Sequence, residues 1–588
     1  MTFQPPSWVP KLSVEIPDTL SIGDFMLNEQ HGRYPLTKSK PPFVCGLSGK
    51  APSATDVKEQ VDLLARGLSK ELGWQPNEGN EWDKVAAVYS LNTIDYLPLA
   101  WAIHRLGGIE SPANAQYSAA DLEYQLKNSG AKCLFTCMPV LDKALEAADK
   151  VGIPRSRVYL MELPEAVTES ARGPGLKTVA QLVKQGKTQA ALEPLRWSKG
   201  EGKRRTAFLC YSSGTSGLPK GVMISHYNVI ANTLQIKTFD EVSRNQLKRP
   251  DQDVYVENVL GLLPFSHIYG LVVIAHASFH RGDSVVVLPR FEFRSFMRAA
   301  ELYQINTLYL VPPIVIMMIN NKKILDQFDL SHVRAIFTGA APLRQETSDA
   351  LHEIFPHWVI RQGYGLTETS TVVSSTANFD TCPGSAGSLV PGVEARVLSV
   401  DGKGLTGHDQ PGELLVKSPA VVLGYLNNPK ANEEAFITDS NGDRWLRTGD
   451  EVVFRKSANG HEHLFIVDRI KELIKVEGLQ VAPAELEAHI LTHPDVTDCA
   501  VIPVPDDAAG EVPKAYVVKS PHADSSMPQA VLARDIAKYV AKSKSKHKWL
   551  MGGVEFVQVI PKNPSGKILR RELREKDKKD RREKGTKL

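Results

Sequence analysis

The stretch YSSGTSGLPKGV, residues 211–222, separates a predicted strand, RTAFLC, from a predicted helix, HYNVIANTLQI. Its serines, threonine and glycines offer hydroxyl groups and free backbone N–H groups, which are typical of a loop that holds phosphate. A P-loop requires G-x-x-x-x-G-K-[ST], but here Pro219 precedes Lys220 and Gly221 follows it. The sequence therefore excludes a P-loop and predicts another kind of polyphosphate cradle, with a flexible Ser/Gly-rich linker as the alternative interpretation.

The chain on both sides of this loop predicts an α/β fold. Short β-branched runs alternate with amphipathic helical spacing from Asp83 onward, an order typical of βαβ units in doubly wound parallel sheets. From about Gly384 short strands are separated by Gly, Asp and Asn turns, which indicates a small β-barrel or sheet that completes the large domain. After Asp468 a strand, turn, strand, helix and strand predict a separate domain of α+β type.

Three regions are therefore expected. We predict a large N-terminal domain over residues 1–468, a small mobile α+β domain over residues 469–575, and a charged tail over residues 576–588. The tail, KDKKDRREKGTKL, has no apolar face, so solvated disorder is its expected state.

Composition argues against several classes of function. The chain has 588 residues with a net charge of +3, 42% hydrophobic and 23% charged residues, which is typical of a globular protein and gives no reason to expect nucleic-acid binding. Its six scattered cysteines argue against a zinc site and for a reducing compartment. The N-terminus lacks the apolar core of a secretion signal, and the most apolar stretch, LYLVPPIVIMMI from Leu308, is too short to span a membrane.

Seven motifs occur in register along the chain. They are YSSGTSGLPKGVMISHYNVIAN, LLPFSHIYG, RQGYGLTETS, PGELLVKSPAVVLGYLNNP, WLRTGDE, FIVDRIKELIKVEGLQVAPAELEAHI and PKNPSGKILRREL. Together they resemble the adenylate-forming acyl/aryl-CoA synthetases, the superfamily that includes 4-coumarate:CoA ligases, firefly luciferases and nonribosomal-peptide adenylation domains. Within it the chain is most similar to fungal phenylacetyl-CoA ligases, notably in GWQPNEGNEWDK and KHKWLMGG.

The resemblance implies a reaction in two halves. A carboxylate attacks the α-phosphate of ATP, with Mg²⁺, to give acyl-AMP and pyrophosphate, and the thiol of coenzyme A then displaces AMP. The implied substrate is an aromatic carboxylic acid, phenylacetate or a near analogue, with a medium-chain fatty acid or 4-coumarate as the alternative. The rivals are a luciferase-like or carrier-loading adenylating enzyme and a non-catalytic nucleotide-binding regulator, which is expected to lack Lys567 or Glu368.

The resemblance also implies the nucleotide site. The opening loop holds the β- and γ-phosphates, Tyr364 stacks on adenine, and Asp450 with Arg469 binds the ribose. The ATP- or AMP-binding residues implied in this way are Ser212, Ser213, Gly214, Thr215, Ser216, Lys220, Gly339, Ala340, Ala341, Pro342, Gln362, Gly363, Tyr364, Gly365, Asp450, Arg469 and Gln480.

For catalysis the family comparison points to Lys567, Lys475, His267, Thr367 and Glu368. Lys567 bridges the carboxylate and the α-phosphate, Thr367 touches that phosphate, and Glu368 coordinates the metal, a role suited to a carboxylate beside phosphate oxygens. His267 gates the acyl pocket against the CoA channel. Lys471 is the implied hinge, about which the small domain rotates between the two steps.

Coenzyme A and the acyl group have their own implied residues. The CoA-binding residues are Arg290, Glu477 and Gly478, although Glu477 stands where such ligases commonly carry lysine. The acyl pocket consists of Tyr269, Val273, Gly339, Gly363, Val372 and Val373, with His267 at its mouth. We expect the two glycines to leave a slot for a flat ring and the valines to close it with apolar surface. The stretch PFSHIYG contains no aspartate to bind an α-ammonium group, so amino acids are not expected as substrates.

The last three residues, Thr586, Lys587 and Leu588, resemble the S-K-L peroxisomal signal, with threonine in place of serine. The sequence therefore predicts a peroxisomal import receptor as a partner, and the cytosol is the alternative location.

Overall fold

The computed structural model describes residues 2–168, 175–212, 219–343, 345–477, 479–506, 509–521, 523, 527–563 and 566–585. Some predicted residues lie outside these ranges, so their roles stay predictions. They are Ser213, Gly214, Thr215, Ser216, Gly478, Thr586, Lys587 and Leu588.

A seven-stranded sheet forms the first layer of the large domain. Its spatial order is Gly424–Tyr425, Lys220–Ser225, Thr206–Ser212, Ile109–Ala113, Val85–Tyr89, Cys133–Thr136 and Val158–Leu160. The last five strands run parallel, whereas the first two are antiparallel additions at one edge. The helices of this half of the chain are Ile22–Leu27, Ala54–Leu72, Tyr96–Arg105, Ala119–Ser129, Leu141–Val151, Glu165–Thr168, Val179–Gly186, Glu201–Arg204 and His226–Asn245.

The surroundings of the opening loop differ from the prediction. Thr206–Ser212 and Lys220–Ser225 pair antiparallel with Ser212 opposite Lys220, so the loop joins two strands of a hairpin and not a strand to a helix. Val222 and Ile224 are fully buried in the sheet, which explains why this segment is a strand. The helix begins only at His226, so the predicted cradle does not lie at a helix N-terminus.

An eight-stranded sheet forms the second layer. Its order is Phe43–Cys45, Ser284–Val287, Asn258–Gly261, Thr307–Leu310, Ala335–Thr338, Val359–Leu366, Thr371–Ser375 and Ser388–Leu389. The first six strands run parallel and the last two pair antiparallel. The connecting segments hold the π-helix Tyr269–His276 and the α-helices Ala277–Arg281, Phe293–Leu302, Pro312–Asn320, Lys322–Leu325 and Gln345–Ile354.

The two layers share one apolar core. Trp101, from a helix of the first layer, packs on Phe279 and Phe43 of the second, with ring centroids 4.6 and 6.0 Å apart. Trp101 is completely buried, and such interlocked aromatic rings contribute strongly to the stability of a core. The two sheets therefore form a single large domain of the predicted α/β class.

A six-stranded antiparallel sheet completes the large domain, where the sequence predicts a small β-barrel or sheet. It contains Gly404–Leu405, Glu394–Leu398, Gly412–Lys417, Arg444–Lys456 and Phe436–Thr438, and Glu462–Arg469 pairs with Arg444–Lys456. The helix Pro429–Ala435 lies beside it.

The region after Arg469 has the predicted α+β character. Its sheet contains Leu479–Val481, Ile474–Val476, Gly510–Lys519 and Val496–Asp506, with Val554–Phe556 beside Gly510–Lys519. Its helices are Pro483–Ile490, Gln529–Ser543 and Arg570–Gly585. The exact domain bounds proposed from sequence stay a prediction.

As far as Gly585 the charged tail is helical, where the sequence predicts disorder. The helix Arg570–Gly585 crosses the proposed boundary at residue 575. Leu573 and Asp577, one turn apart, are both buried, and Lys514 Nζ donates to Asp577 Oδ1 over 2.7 Å. The ion pair and the apolar contact hold this helix against the small domain, which the charge run alone does not reveal. Within the described residues, no helix combines the length and apolar character needed to cross a membrane.

Candidate active site

A cavity of about 840 Å³ lies at the carboxyl ends of the parallel strands of the second sheet, where α/β folds commonly bind ligands. Segments of the large domain and the turn around Lys567 line it together. The predicted site residues that line it are Ser212, Lys220, His267, Tyr269, Val273, Gly339, Ala340, Gly363, Tyr364, Gly365, Thr367, Glu368, Val372, Arg469, Lys471 and Lys567. The structure thus brings together residues from motifs spread over most of the chain.

One end of the cavity carries charges of both signs. Glu368 Oε1 accepts hydrogen bonds from Ser212 Oγ at 3.2 Å and from the Tyr425 hydroxyl at 2.9 Å. Lys220 Nζ lies over the ring of Tyr425, 4.7 Å from its centroid. This end can bind an anion through Lys220 and a cation through Glu368.

A second polar group lies around Asp450, which is buried. Its Oδ1 is 3.0 Å from Arg469 Nε, and its Oδ2 accepts from the Tyr364 hydroxyl at 2.5 Å. Burial raises the pKa of Asp450, and the Arg469 guanidinium opposes that rise. Arg469 and Tyr364 line the cavity, whereas Asp450 itself does not, so the pairing fixes the carboxylate directly behind the cavity wall.

Lys567 enters this site from the small domain. Gly566, with φ +81°, precedes it, and a Cβ there would lie 3.0 Å from Pro313 Cδ and Cγ of the large domain. Burial lowers the pKa of Lys567, and the charge of Arg469 lowers it further. A desolvated ammonium group at this point is suited to binding anionic oxygens.

His267 lies near Lys567, whose positive charge affects the pKa of its imidazole. Burial lowers the pKa of His267 to about 4, with a smaller contribution from Lys567, so the imidazole is neutral at pH 7. Its Nδ1 accepts from the backbone N–H of Tyr269 at 3.3 Å. An uncharged His267 leaves the ammonium group of Lys567 as the cation beside it.

The other end of the cavity is apolar. Tyr269 and Val273 come from the π-helix, Phe337 from a central strand and Val372 from its antiparallel neighbour. The Tyr269 hydroxyl donates to the Phe337 carbonyl oxygen at 2.9 Å, so its ring presents apolar surface. π-Helical turns are rare in proteins, and those that occur are often found at functional sites. The position of this one on the cavity wall agrees with that tendency.

Two details of the predicted acyl pocket are corrected. Val373 does not line the cavity and is fully buried, because neighbouring residues of a strand point to opposite faces and Val372 takes the inner one. Gly363 lines the cavity but leaves no open slot, since a Cβ there would lie 2.5 Å from Phe337 Cζ. At Gly339 a Cβ would meet Tyr269 Cε1 at 3.5 Å, an ordinary contact. The space beside Gly363 is therefore occupied by the ring of Phe337.

The turn that presents Tyr364 and Thr367 has a strict steric requirement. A Cβ at Gly365 would lie 1.5 Å from the carbonyl oxygen of Thr371, so only glycine allows the two strands to meet there. Gln362, Ala341 and Pro342 do not line the cavity. Gln362 Oε1 instead accepts from the backbone N–H of Leu343 at 2.9 Å and holds the TGAAPL turn in place.

Four other predicted residues lie away from this cavity. They are Arg290, Lys475, Glu477 and Gln480, and all are exposed. Glu477 sits in a tight turn with φ +50°, and its N–H donates to Ala509 O at 2.9 Å. In this domain arrangement Lys567 occupies the site, and the hairpin that carries Lys475, Glu477 and Gln480 does not reach it.

Comparison with known proteins identifies the family. Residues 37–426 match the family model for AMP-binding enzyme, and residues 485–567 match that for the AMP-binding enzyme C-terminal domain. The chain belongs to the AMP-binding enzyme family. The relatives of this AMP-binding enzyme include two fungal acyl-CoA ligases. Acyl-CoA ligase easD of Emericella nidulans is 40% identical over 575 residues, which cover 98% of this chain and 100% of that protein. Acyl-CoA ligase gloD of Glarea lozoyensis is 39% identical over 575 residues, with 98% and 99% covered.

Solved structures confirm the fold of this AMP-binding enzyme. The anthranilate CoA ligase AuaEII in complex with anthranoyl-AMP superposes with a TM-score of 0.77 at 22% identity, covering 95% of this chain and 97% of that one. ATP-bound MatB from Rhodopseudomonas palustris gives 0.76 at 24% identity, with 95% and 98% covered. The AMP-binding enzyme is an AMP-forming acid–thiol ligase, which makes an acyl-CoA through an acyl-adenylate from ATP, with Mg²⁺, and coenzyme A.

The residues of this AMP-binding enzyme fit a magnesium-bound nucleotide. No group of three or more His, Cys, Asp or Glu side chains in the described chain could hold a metal by itself. Mg²⁺ is usually held by one or two carboxylates together with substrate phosphates, and Glu368 supplies a carboxylate at the polar end of the cavity. Glu368 with Ser212 therefore suits the ion once the nucleotide brings its own oxygens.

Sequence reasoning assigned no role to Phe337, Tyr425 or Thr371, which also line the cavity of the AMP-binding enzyme. Phe337 lies two residues before Gly339, and Tyr425 lies inside the quoted motif GYLNNP. The period-two alternation of the strand through Phe337 was a signal that could have placed its ring on the same face as Gly339.

Proposed function

We propose that this enzyme activates a flat, uncharged aromatic acid with a short linker, phenylacetate or a near analogue. The observation that carries this proposal is the apolar end of the cavity, lined by Tyr269, Val273, Phe337 and Val372. A second charge on the substrate would be desolvated there without a partner, at a cost of several kcal/mol. Dicarboxylates and amino acids are therefore expected to be poor substrates.

In the first half-reaction the substrate carboxylate attacks the α-phosphate while Lys567 binds both anions, and Thr367 contacts the α-phosphate. Lys220 binds the pyrophosphate as it leaves, and Glu368 would hold the Mg²⁺ that neutralises phosphate charge. The pairing of Asp450 with Arg469 supports its assignment to the ribose, because it fixes the carboxylate next to Arg469 and Tyr364, which line the cavity. Catalysis of this kind depends on preorganised charges and needs no covalent nucleophile.

In the second half-reaction the small domain turns about Lys471 and withdraws Lys567. The hairpin with Lys475, Glu477 and Gly478 then takes its place, and Arg290 of the large domain meets the CoA phosphate. Lys475, Glu477 and Arg290 are exposed in the present arrangement, which supports a role for them only after the small domain has turned. His267, neutral at pH 7, separates the acyl pocket from the thiol channel.

A panel of carboxylic acids tests the substrate class. The purified enzyme is incubated with ATP, Mg²⁺, coenzyme A and one acid at a time, and the thioester is detected by mass. We expect phenylacetate and close analogues to give the highest kcat/KM. Better use of hexanoate would move the assignment to medium-chain fatty acids. Better use of 4-coumarate would move it to aromatic acids with a longer linker between ring and carboxylate.

Gly339→Ala tests the shape of the pocket. The added methyl group meets Tyr269 at 3.5 Å without a clash, so it narrows the cavity while the fold is kept. We expect kcat/KM for phenylacetate to fall roughly tenfold more than that for the slender hexanoate, within the range of one methylene-sized misfit. Gly363→Val is unsuitable, because its side chain would displace Phe337. Equal losses for both acids would contradict an aromatic slot.

A further inference from the structure

Tyr425 lies at the edge of the seven-stranded sheet, next to the strand that follows the phosphate loop. The short strand Gly424–Tyr425 pairs antiparallel with Lys220–Ser225, and Tyr425 is opposite Val222. The side chain is 8% exposed and lines the polar end of the cavity. The ring is therefore fixed by the sheet within reach of both charged groups at this end.

One tyrosine contacts the two charged residues by different parts of its side chain. Its hydroxyl donates to Glu368 Oε1 at 2.9 Å, and its ring face lies under Lys220 Nζ at 4.7 Å. The hydroxyl of a tyrosine is a good donor to a carboxylate, and the face of its ring attracts an ammonium group. The two contacts do not compete.

These contacts hold two opposite charges near each other without a direct salt bridge. Within the described residues Lys220 has no carboxylate within 4.0 Å, and Glu368 accepts only through Oε1, so the structure gives Oε2 no donor. A direct Lys220–Glu368 ion pair would have to break before a polyphosphate and its cation could bind. The aromatic ring removes that competition and leaves both groups preorganised.

The backbone of Tyr425 is clamped by Asn432. Asn432 Oδ1 accepts from Tyr425 N at 2.7 Å, and Asn432 Nδ2 donates to Tyr425 O at 3.0 Å. Gly424 adopts φ +148°, and a Cβ there would lie 2.7 Å from Asn432 Oδ1. The side-chain amide of Asn432 thus holds both the N–H and the carbonyl group of Tyr425 and restricts movement of its backbone.

We propose that Tyr425 is a positioning residue for the magnesium–polyphosphate group of ATP, orienting Glu368 through its hydroxyl and Lys220 through its ring. This inference rests on the proposed function, which assigns Glu368 to the metal and Lys220 to the phosphates. It adds the residue that sets the geometry of both.

Tyr425→Phe removes the hydroxyl and keeps the ring. Binding of ATP is measured by calorimetry over a series of Mg²⁺ concentrations without any acid, so the result does not depend on which acid is the substrate. We expect the Mg²⁺ concentration for half-maximal ATP affinity to rise roughly tenfold, as for loss of one hydrogen bond to a charged group. ATP affinity without Mg²⁺ should change less than twofold, because the contact with Lys220 is kept.

Tyr425→Leu removes the ring as well. We expect it to weaken ATP binding without Mg²⁺ several-fold, since Lys220 loses its cation–π contact. Asn432→Ala keeps the side chain of Tyr425 and frees its backbone, so it should raise the Mg²⁺ requirement in the same direction by a smaller factor. This variant decides the matter if Tyr425→Phe does not fold.

Tyr255→Phe is the matched control. The Tyr255 hydroxyl donates to Glu257 Oε2 at 3.4 Å, and the Arg244 guanidinium lies over its ring at 5.0 Å. This second tyrosine with a carboxylate and a cation lies near the amino ends of the parallel strands, since Glu257 directly precedes the strand Asn258–Gly261. The control is expected to change thermal stability and to leave the Mg²⁺ requirement unchanged.

Glu368→Gln separates the two possible failures. If Glu368→Gln raises the Mg²⁺ requirement and the folded Tyr425 and Asn432 variants do not, the positioning role of Tyr425 is wrong. If Glu368→Gln leaves the Mg²⁺ requirement unchanged, the assignment of Glu368 in the proposed function is wrong, and the inference about Tyr425 fails with it.

Discussion

At the residue scale, Lys567 combines burial with positive charge. Its pKa is lowered by burial and by Arg469, and its side chain lines the cavity. We expect Lys567→Ala to slow acyl-adenylate formation by roughly 10²–10³-fold, as for loss of one preorganised donor to a developing anion. Pyrophosphate release measures this step. Conversion of supplied acyl-AMP to the thioester should be spared, and an equal loss in both steps would contradict the division of labour.

At the element scale, the segment between the two domains decides which step is possible. Ile470 N donates to Gly449 O at 2.9 Å, and Glu472 N donates to Arg469 O at 2.8 Å, so both sides of Lys471 are tied in the present arrangement. The N–H of Lys471 donates no backbone hydrogen bond in the described part of the chain. Proline at this position removes no such bond and restricts φ, the torsion that rotation requires.

Lys471→Pro should therefore preserve adenylation and block thioester formation. Acyl-AMP is expected to accumulate in a rapid burst, measured by quenched-flow chromatography with ATP, acid and coenzyme A. Lys471→Ala is the control, since it removes the side chain and keeps the torsion free. Normal overall turnover by Lys471→Pro would show that the hinge lies elsewhere.

At the scale of the whole molecule, buried histidines make the fold sensitive to acid. His104, His226, His276 and His280 are each no more than 1% exposed, and burial lowers the pKa of all four. Burial lowers the pKa of His276 to about 4, from its usual value of 6.5. Its Nδ1 lies 2.6 Å from Leu271 O, while its Nε2 accepts from Trp101 Nε1 at 3.1 Å, so the neutral ring carries its proton on Nδ1.

Acid lowers the stability of the fold because the unfolded chain binds protons at these histidines more strongly than the folded chain does. Between pH 6.5 and 4 the unfolded chain binds a proton at His276 and the folded chain does not, so stability falls as the pH falls. For His276 alone the loss is about 3 kcal/mol over this range, at 1.36 kcal/mol for each pKa unit. His276→Gln should flatten the decrease of the urea midpoint between pH 6.5 and 4, whereas His357→Gln, at an exposed position, should not. An unchanged slope in His276→Gln would contradict the neutral assignment.

The sequence by itself determined the α/β class and the motif residues that form the functional part of the cavity wall. These features are encoded locally: alternating apolar residues predict the strands, and motifs such as GYGLTE place several site residues within one short segment. Even the steric need for Gly365 belongs to that segment, because its contact, Thr371, is only a few residues away.

Only the tertiary structure decided how distant segments meet. The contact of Ser212 with Glu368 spans 156 residues, and that of Tyr425 with Glu368 spans 57. The choice of Val372 over Val373, the ring of Phe337 beside Gly363, and the helix that continues past residue 575 also depend on what packs against each segment. Local patterns specify a strand or a helix, whereas the direction and partner of a side chain are set by sheet register and domain packing, which a single sequence does not specify.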